Sequence, residues 1–217
     1  MSRTITVKGV GTVSAAPDYV VITMKLETKD REYEPTLQLA ATAIGYLNTS
    51  LEGAGFEKKA VKTTNFDVHT DYDRVKDPNG NYHSIFRGYV CTHHLKLAFD
   101  FDTKRLAQAL GAISKCLATP ELSISFTVKN PSAVKKELLR SAALNAREKV
   151  EVLCEASGVE LGELISITYN WSELEIISNT RYCAVPKGMI AAPLDNMEIE
   201  PDDIDCSDTA TFVWEIK

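Results

Sequence analysis

No apolar run in this chain approaches the ~20 residues that a helix needs to cross a bilayer. The opening residues lack the basic and apolar regions of a secretory signal. Read from Met1, the protein is expected to stay in the cytoplasm, and to be exported only if its natural start lies further upstream. Strongly basic stretches are missing as well. Lys and Arg number 24 against 30 Asp and Glu, for a net charge of −6, and the nearest basic candidates are the doublets Lys58-Lys59 and Lys135-Lys136. Such a chain repels phosphate backbones, so neither nucleic acid nor an anionic membrane is expected as a partner. Cysteine is sparse and odd in number: Cys91, Cys116, Cys154, Cys183 and Cys206, widely spaced with no C-x-x-C. That excludes a disulfide framework and a zinc ribbon, and fits free, mostly buried thiols in a reducing compartment. Repeats and low-complexity segments are also missing. The 217 residues, 44% hydrophobic and 25% charged, have ordinary globular composition and suffice for a sizeable core.

Hydrophobic periodicity organises the chain. Val7 to Ile22 reads as a strand interrupted by Gly9 and Gly11, turned at Pro17-Asp18 and resumed, with Val20, Ile22, Met24 and Leu26 on one face. Leu37, Ala40, Ala41, Ile44, Leu47 and Leu51 have helical spacing after Pro35 and stop at Gly53 and Gly55. A strand from Val61 to Arg74, the turn Asp77-Pro78-Asn79-Gly80 and a return strand from Gly88 to Phe99 make a long β-hairpin over 61–99. Its register pairs Phe66 with His93 and Val68 with Cys91, which sets both apolar faces on one side. Asp102 is the expected N-cap of a second helix with Leu106, Leu110, Ile113 and Leu117 on its stripe. Leu122, Ile124, Phe126 and Val128 alternate as a strand. Asn130-Pro131 then opens the longest helix, Ser132 to Ser157, with a stripe of Leu139, Ala142, Ala143, Ala146, Val150 and Leu153 and a stop at Gly158. Leu164, Ile165, Ile167 and Tyr169 start another strand; 172–195 has no clean period and reads as a long excursion. Ala210, Phe212, Trp214 and Ile216 alternate in a terminal strand. Single strands and hairpins between about three helices predict an α+β fold with antiparallel sheets.

Candidate chemistry is thin. Gly9-Val10-Gly11 lacks the third glycine and the following helix of a dinucleotide loop, so a β-bulge or bend is expected there and no cofactor is implied. Cys91-Thr92-His93-His94 is the best cluster. On a strand, Cys91 and His93 share a face while His94 points to the other, near Asn65, Asp67 and His69. A metal site of His69, His94 and Asp67 suits zinc or iron chemically, although these spacings match no closed structural site and a solvated polar face is the plainer reading. A nucleophilic Cys91 with His93 as base would need a lowered thiol pKa that nothing in the sequence secures. Asp195, Glu198, Glu200, Asp202, Asp203, Asp205 and Asp208 lack the glycine and terminal glutamate of a calcium loop, and read as a solvated segment able to dock a basic partner. Tyr169, Trp171, Tyr182 and Met189 are candidates for an interaction patch.

Two blocks together carry a resemblance. The opening V-x-G-x-G followed by Ala16-Pro17-Asp18, and the helix Ser141 to Gly158 with its Leu161-Gly162 step, resemble the SIMPL domain family, also called domain of unknown function 541 and periplasmic immunogenic protein-like. Gly88-Tyr89 and the strand Thr209 to Ile216 extend the match over nearly the whole chain. Val150 and Cys154 stand where small alanines are usual. The resemblance implies an α+β protein of two intimately packed parts, one domain over 1–217 with subdomains at 1–129 and 130–217. It implies a homo-oligomer, since some members form symmetric rings, and it supplies no catalytic residues. Bacterial members are often exported and linked to oxidative stress, and a eukaryotic member associates with a signalling kinase. The expected role is therefore a non-enzymatic assembly or protein-binding module, with strand addition at a sheet edge as one mode. The alternative is a metal- or thiol-dependent enzyme or redox protein built on Cys91, His93, His94 and Asp67.

Overall fold

The computed structural model describes residues 3–78, 80–169, 174–183 and 199–217, with backbone alone at 181–183. In chain order its elements are β1 (Arg3–Ala15), β2 (Tyr19–Asp30), α1 (Tyr33–Gly53), β3 (Lys62–Lys76), β4 (Tyr82–Asp100), α2 (Thr103–Lys115), β5 (Glu121–Thr127), α3 (Pro131–Ser157), β6 (Leu161–Tyr169), β7 (Ile177–Cys183) and β8 (Ile204–Ile216). The strands form two antiparallel sheets, ordered β1-β8-β6 and β3-β4-β2-β5-β7. With three helices among the described residues the fold is α+β. Part of the expected excursion at 172–195 is the strand β7, where a short run without clear alternation hid it.

One compact unit comprises, of the described residues, 3–18, 126–169, 174–180 and 201–217. Its long helix starts where Asn130 Oδ1 accepts the Ala133 N–H at 3.3 Å and ends at Gly158, which takes the left-handed φ of +68°. The buried face is Val134, Leu138, Ala142, Ala146, Val150 and Cys154, every fourth residue, while Leu139, Ala143 and Leu153 point outward. This corrects the expected stripe, and the reason lies in β1. A Cβ on Gly9 would sit 2.1 Å from the Ala142 carbonyl oxygen, and one on Gly11 2.0 Å from that of Leu138. The strand therefore lies directly against helix backbone, which only glycine permits. No bulge occurs at these glycines: β1 pairs with β8 without interruption from Arg3↔Ile216 to Ala15↔Ile204.

The same helix closes the outer edge of β1. Asn145 Oδ1 accepts the Val10 N–H at 3.0 Å, Ser141 Oγ accepts the Thr12 N–H at 3.2 Å, and Lys149 Nζ donates to the Lys8 carbonyl at 3.2 Å. These three residues, spaced by four on α3, satisfy groups that an edge strand would leave to water or to another chain. Inside, Val7, Ala146, Val150, Cys154, Ala210, Phe212 and Trp214 form one buried cluster. Val128, Val134, Leu138, Ile176, Ile204 and Cys206 form another.

The second unit comprises, of the described residues, 19–78, 80–125, 181–183 and 199–200. Val20, Ile22, Met24 and Leu26 of β2 are buried, as their alternation predicts. α1 packs on β2, β4 and α2. Asp102 caps α2 by accepting the Arg105 N–H at 2.7 Å, and the Arg105 guanidinium lies over the paired rings of Phe56 and Phe99. Leu117 falls beyond the helix end at Lys115 and is exposed, so it leaves the expected stripe.

The hairpin register is the one predicted, Phe66↔His93 and Val68↔Cys91. Its return strand begins earlier than Gly88, however, and the ladder continues out to Lys76↔Tyr82. A register shift at Asp71/Tyr72 leaves Arg87 unopposed, and Gly88 beside it has φ +145° with a would-be Cβ 2.2 Å from the Asp30 carbonyl oxygen. Such an extra residue bends a strand. Because β2 stops at Asp30↔Tyr89, the pairs from Tyr72↔Phe86 to Lys76↔Tyr82 have no third strand beside them among the described residues. They form a two-stranded arm.

Candidate functional site

Alternation along β4 divides the chemical cluster between two faces. Cys91 and His93 belong to the core face and are 1% and 7% exposed. His93 Nε2 lies 2.8 Å from Thr63 Oγ1, the Phe66 ring meets the imidazole edge-on at 5.1 Å, and Nδ1 has no hydrogen-bond partner among the described residues. Burial, and secondarily the neighbouring His94, lowers the His93 pKa and so favours the neutral ring. Burial also raises the Cys91 thiol, against a smaller opposing hydrogen bond from Thr28. A raised thiol pKa is the reverse of what a nucleophile needs.

His94 faces the other side. It stands opposite Asn65 and Lys25 across the ladders and lines an open groove of about 360 Å³ with Thr23, Lys25, Asn65 and Glu121. Asp67 pairs with Thr92 instead, and its carboxylate holds His69 Nδ1 at 2.9 Å. The structure thus brings Asp67 and His69 together and leaves His94 apart. Among the described residues no group of three His, Cys, Asp or Glu is placed to hold a metal ion. Lys25 and Lys29 bridge to Glu27, and Lys29 also to Asp71, as on a solvated polar face.

Of the interaction candidates, Tyr169 packs at the margin of a buried cluster, and its hydroxyl donates to Asp208 Oδ2 at 2.6 Å. That bond, more than burial, raises its pKa. Trp171, Met189 and the side chain of Tyr182 lie outside the described residues, as do Asp195 and Glu198 of the acidic run. Two surfaces escaped sequence reasoning. β6, on the sheet edge opposite β1, exposes Leu164, Ile165 and Ile167. The arm exposes Tyr72, Val75, Tyr82, Ile85 and Phe86, with Tyr82 61% accessible at its far end. On one face of the arm Tyr72 meets Phe86 at 5.6 Å, and Phe86 meets Tyr89 at 5.5 Å. Arg74 and Lys76 stand over the Tyr82 ring at 5.3 and 5.8 Å. Arg87 pairs with Asp73, and His83 with Asp77, on the opposite face. The available signal was length: strands of 15 and 19 residues outrun the 12 residues of β2.

A family profile described as "SIMPL: Protein of unknown function (DUF541)" matches residues 5–214. The "26 kDa periplasmic immunogenic protein" of Brucella abortus (strain S19) is 23% identical over 164 residues, which are 76% of this chain and 65% of that protein. The protein of the same name from Brucella melitensis biotype 1 is 22% identical over the same shares. The "Uncharacterized protein YggE" of Edwardsiella ictaluri is 21% identical over 183 residues, 84% of this chain and 74% of that protein. The match to the Brucella proteins thus spans about two thirds of their length, 65%. These relatives, named as periplasmic, overturn the cytoplasmic expectation. It rested on the first residues of the chain, and where a sequence begins is no physical record of compartment when its relatives are longer than the matched part. No helix among the described residues is long and apolar enough to cross a membrane.

Proposed function

This chain belongs to the SIMPL family, and from that membership we propose that it is a non-enzymatic assembly and protein-binding module that works in the periplasm by pairing with further copies of itself. The observation that carries this reading is the arm. A two-stranded ribbon is marginally stable in water unless its faces pack on something, yet this one presents five large apolar side chains, Tyr72, Val75, Tyr82, Ile85 and Phe86. Tyrosine flanked by arginine is the composition that concentrates binding energy at interfaces. The stress link that the family resemblance implies belongs to this reading as its setting, and the buried thiols that the sequence suggested for a reducing compartment, Cys91 and Cys206 among them, are shielded from exchange in an oxidising one as well. Light scattering coupled to size exclusion at micromolar concentration tests the proposal: an assembly larger than one protomer is expected, and a monodisperse monomer overturns it.

A second reading rests on β6. Its outer edge has no partner strand among the described residues, carries Leu164, Ile165 and Ile167, and contains neither Pro nor Lys to deter pairing. Addition of an extended peptide strand from another protein would use that edge. Ile165→Lys with a control Lys62→Glu on β3 separates the edges in a pull-down: loss of a captured peptide only in the β6 variant supports it, and equal capture by both variants ends it.

A further inference from the structure

We infer that the basic aromatic end of the arm of one copy docks into an acid-flanked groove on a second copy, so that the contact is head-to-tail. This inference rests on the assembly reading above and names its interface.

The donor surface is one face of the arm. Tyr72, Arg74 and Lys76 of β3 share it with Phe86, Ser84 and Tyr82 of β4, by the alternation of paired strands. The two cations lean over the Tyr82 ring and have no carboxylate partner among the described residues. The carboxylates of the arm turn elsewhere, Asp73 to Arg87 and Asp77 to His83. One face is therefore positive and aromatic on a chain that is negative as a whole.

The acceptor lies in the unit built on β1 and β8. A groove of about 430 Å³ is lined by Thr12, Val13, Ser14, Asp205, Cys206 and Ser207. Thr12↔Ser207 and Ser14↔Asp205 are directly paired across the ladder, so three hydroxyls and a carboxylate share one face. Asp202 and Asp203 precede it on the chain and are exposed. Neither Asp203 nor Asp205 has a cation beside it among the described residues. A hydroxyl-lined, carboxylate-rimmed groove accepts what the arm offers: an exposed phenol flanked by two cations. The occupant is a second copy of this chain because both halves are present in each protomer and opposite in charge. A surface that meets a different surface on its neighbour is heterologous, and such contacts close into rings or extend as filaments.

The test is charge exchange, read by sedimentation velocity on the full chain, with circular dichroism confirming that each variant is folded. Arg74→Glu/Lys76→Glu and Asp203→Lys/Asp205→Lys are each expected to weaken association by about tenfold or more, and the quadruple exchange to recover it, because it restores opposite charges in the reverse sense. Wild-type association should also weaken as salt rises. An assembled wild type whose double variants assemble equally well overturns this interface and leaves the assembly reading standing. Loss in both doubles without recovery in the quadruple also overturns the pairing. A wild type that is a monomer overturns both.

Discussion

Gly9 and Gly11 decide how near α3 comes to β1. Each would place a Cβ about 2 Å from a helix carbonyl, and backbone on both sides cannot yield as a side chain could. Gly9→Ala or Gly11→Ala is expected to cost ~3 kcal/mol, the upper range for overpacking, whereas Gly53→Ala, with nothing within 4 Å, should stay within about 0.5 kcal/mol of wild type. Urea denaturation of the three variants measures the contrast. His93 sets a pH limit by similar reasoning. Its folded pKa lies below the ordinary 6.5, so the unfolded chain takes up a proton that the folded chain resists. Its contribution is complete above that ordinary value and is lost as pH falls below it. Unfolding free energy should drop between pH 7 and pH 5, and His93→Gln should flatten that slope; an unchanged slope would show that His93 titrates freely. The cysteines follow the same physics. Cys91, Cys116, Cys154 and Cys206 are buried, with burial raising the thiol pKa of Cys91 and Cys206. Native alkylation at neutral pH should leave these four unmodified until denaturant is added, and fast labelling at Cys91 would revive a thiol chemistry that the geometry disfavours.

At the scale of elements, α3 does two things with two adjacent stripes. Ala142 and Ala146 let it lie close, and Ser141, Asn145 and Lys149 hydrogen-bond the strand edge it lies along. The amides of Val10 and Thr12 should accordingly exchange as slowly as ladder amides although they face the outside of the sheet. Ser141→Ala/Asn145→Ala should speed both and cost ~2 kcal/mol, about 1 for each lost bond, with hydrogen exchange by NMR as the readout. Much at this scale was legible in the chain. The hairpin register came from two alternating runs that could share a core face in one way only, and the caps at Asp102, Asn130 and Gly158 act locally, where sequence speaks most directly. The helix stripe was misread because leucines at 139 and 153 look like core while polar residues at 141 and 145 look like surface. Their true roles depend on a strand more than a hundred residues away, which no local period encodes. β7 was hidden for a like reason: its partner supplies the order that its own sequence lacks.

At the scale of the molecule, the sequence led to Cys91, His93, His94 and Asp67, and β4 alternation scatters that cluster between a dry face and a wet one. The surfaces that stand out instead are an arm and a sheet edge. Sequence could not flag them because an exposed apolar strand and a buried one look alike until the neighbouring strand is seen to end. The arm exists only because β2 stops at Asp30 while β3 and β4 continue. An assembly protein and a metal- or thiol-dependent enzyme also differ in what one protomer carries into solution. Native mass spectrometry of the full chain separates them in a single spectrum. Masses at whole multiples of the protomer are expected, with no added mass from a metal or small ligand. A single protomer retaining a bound metal would contradict it.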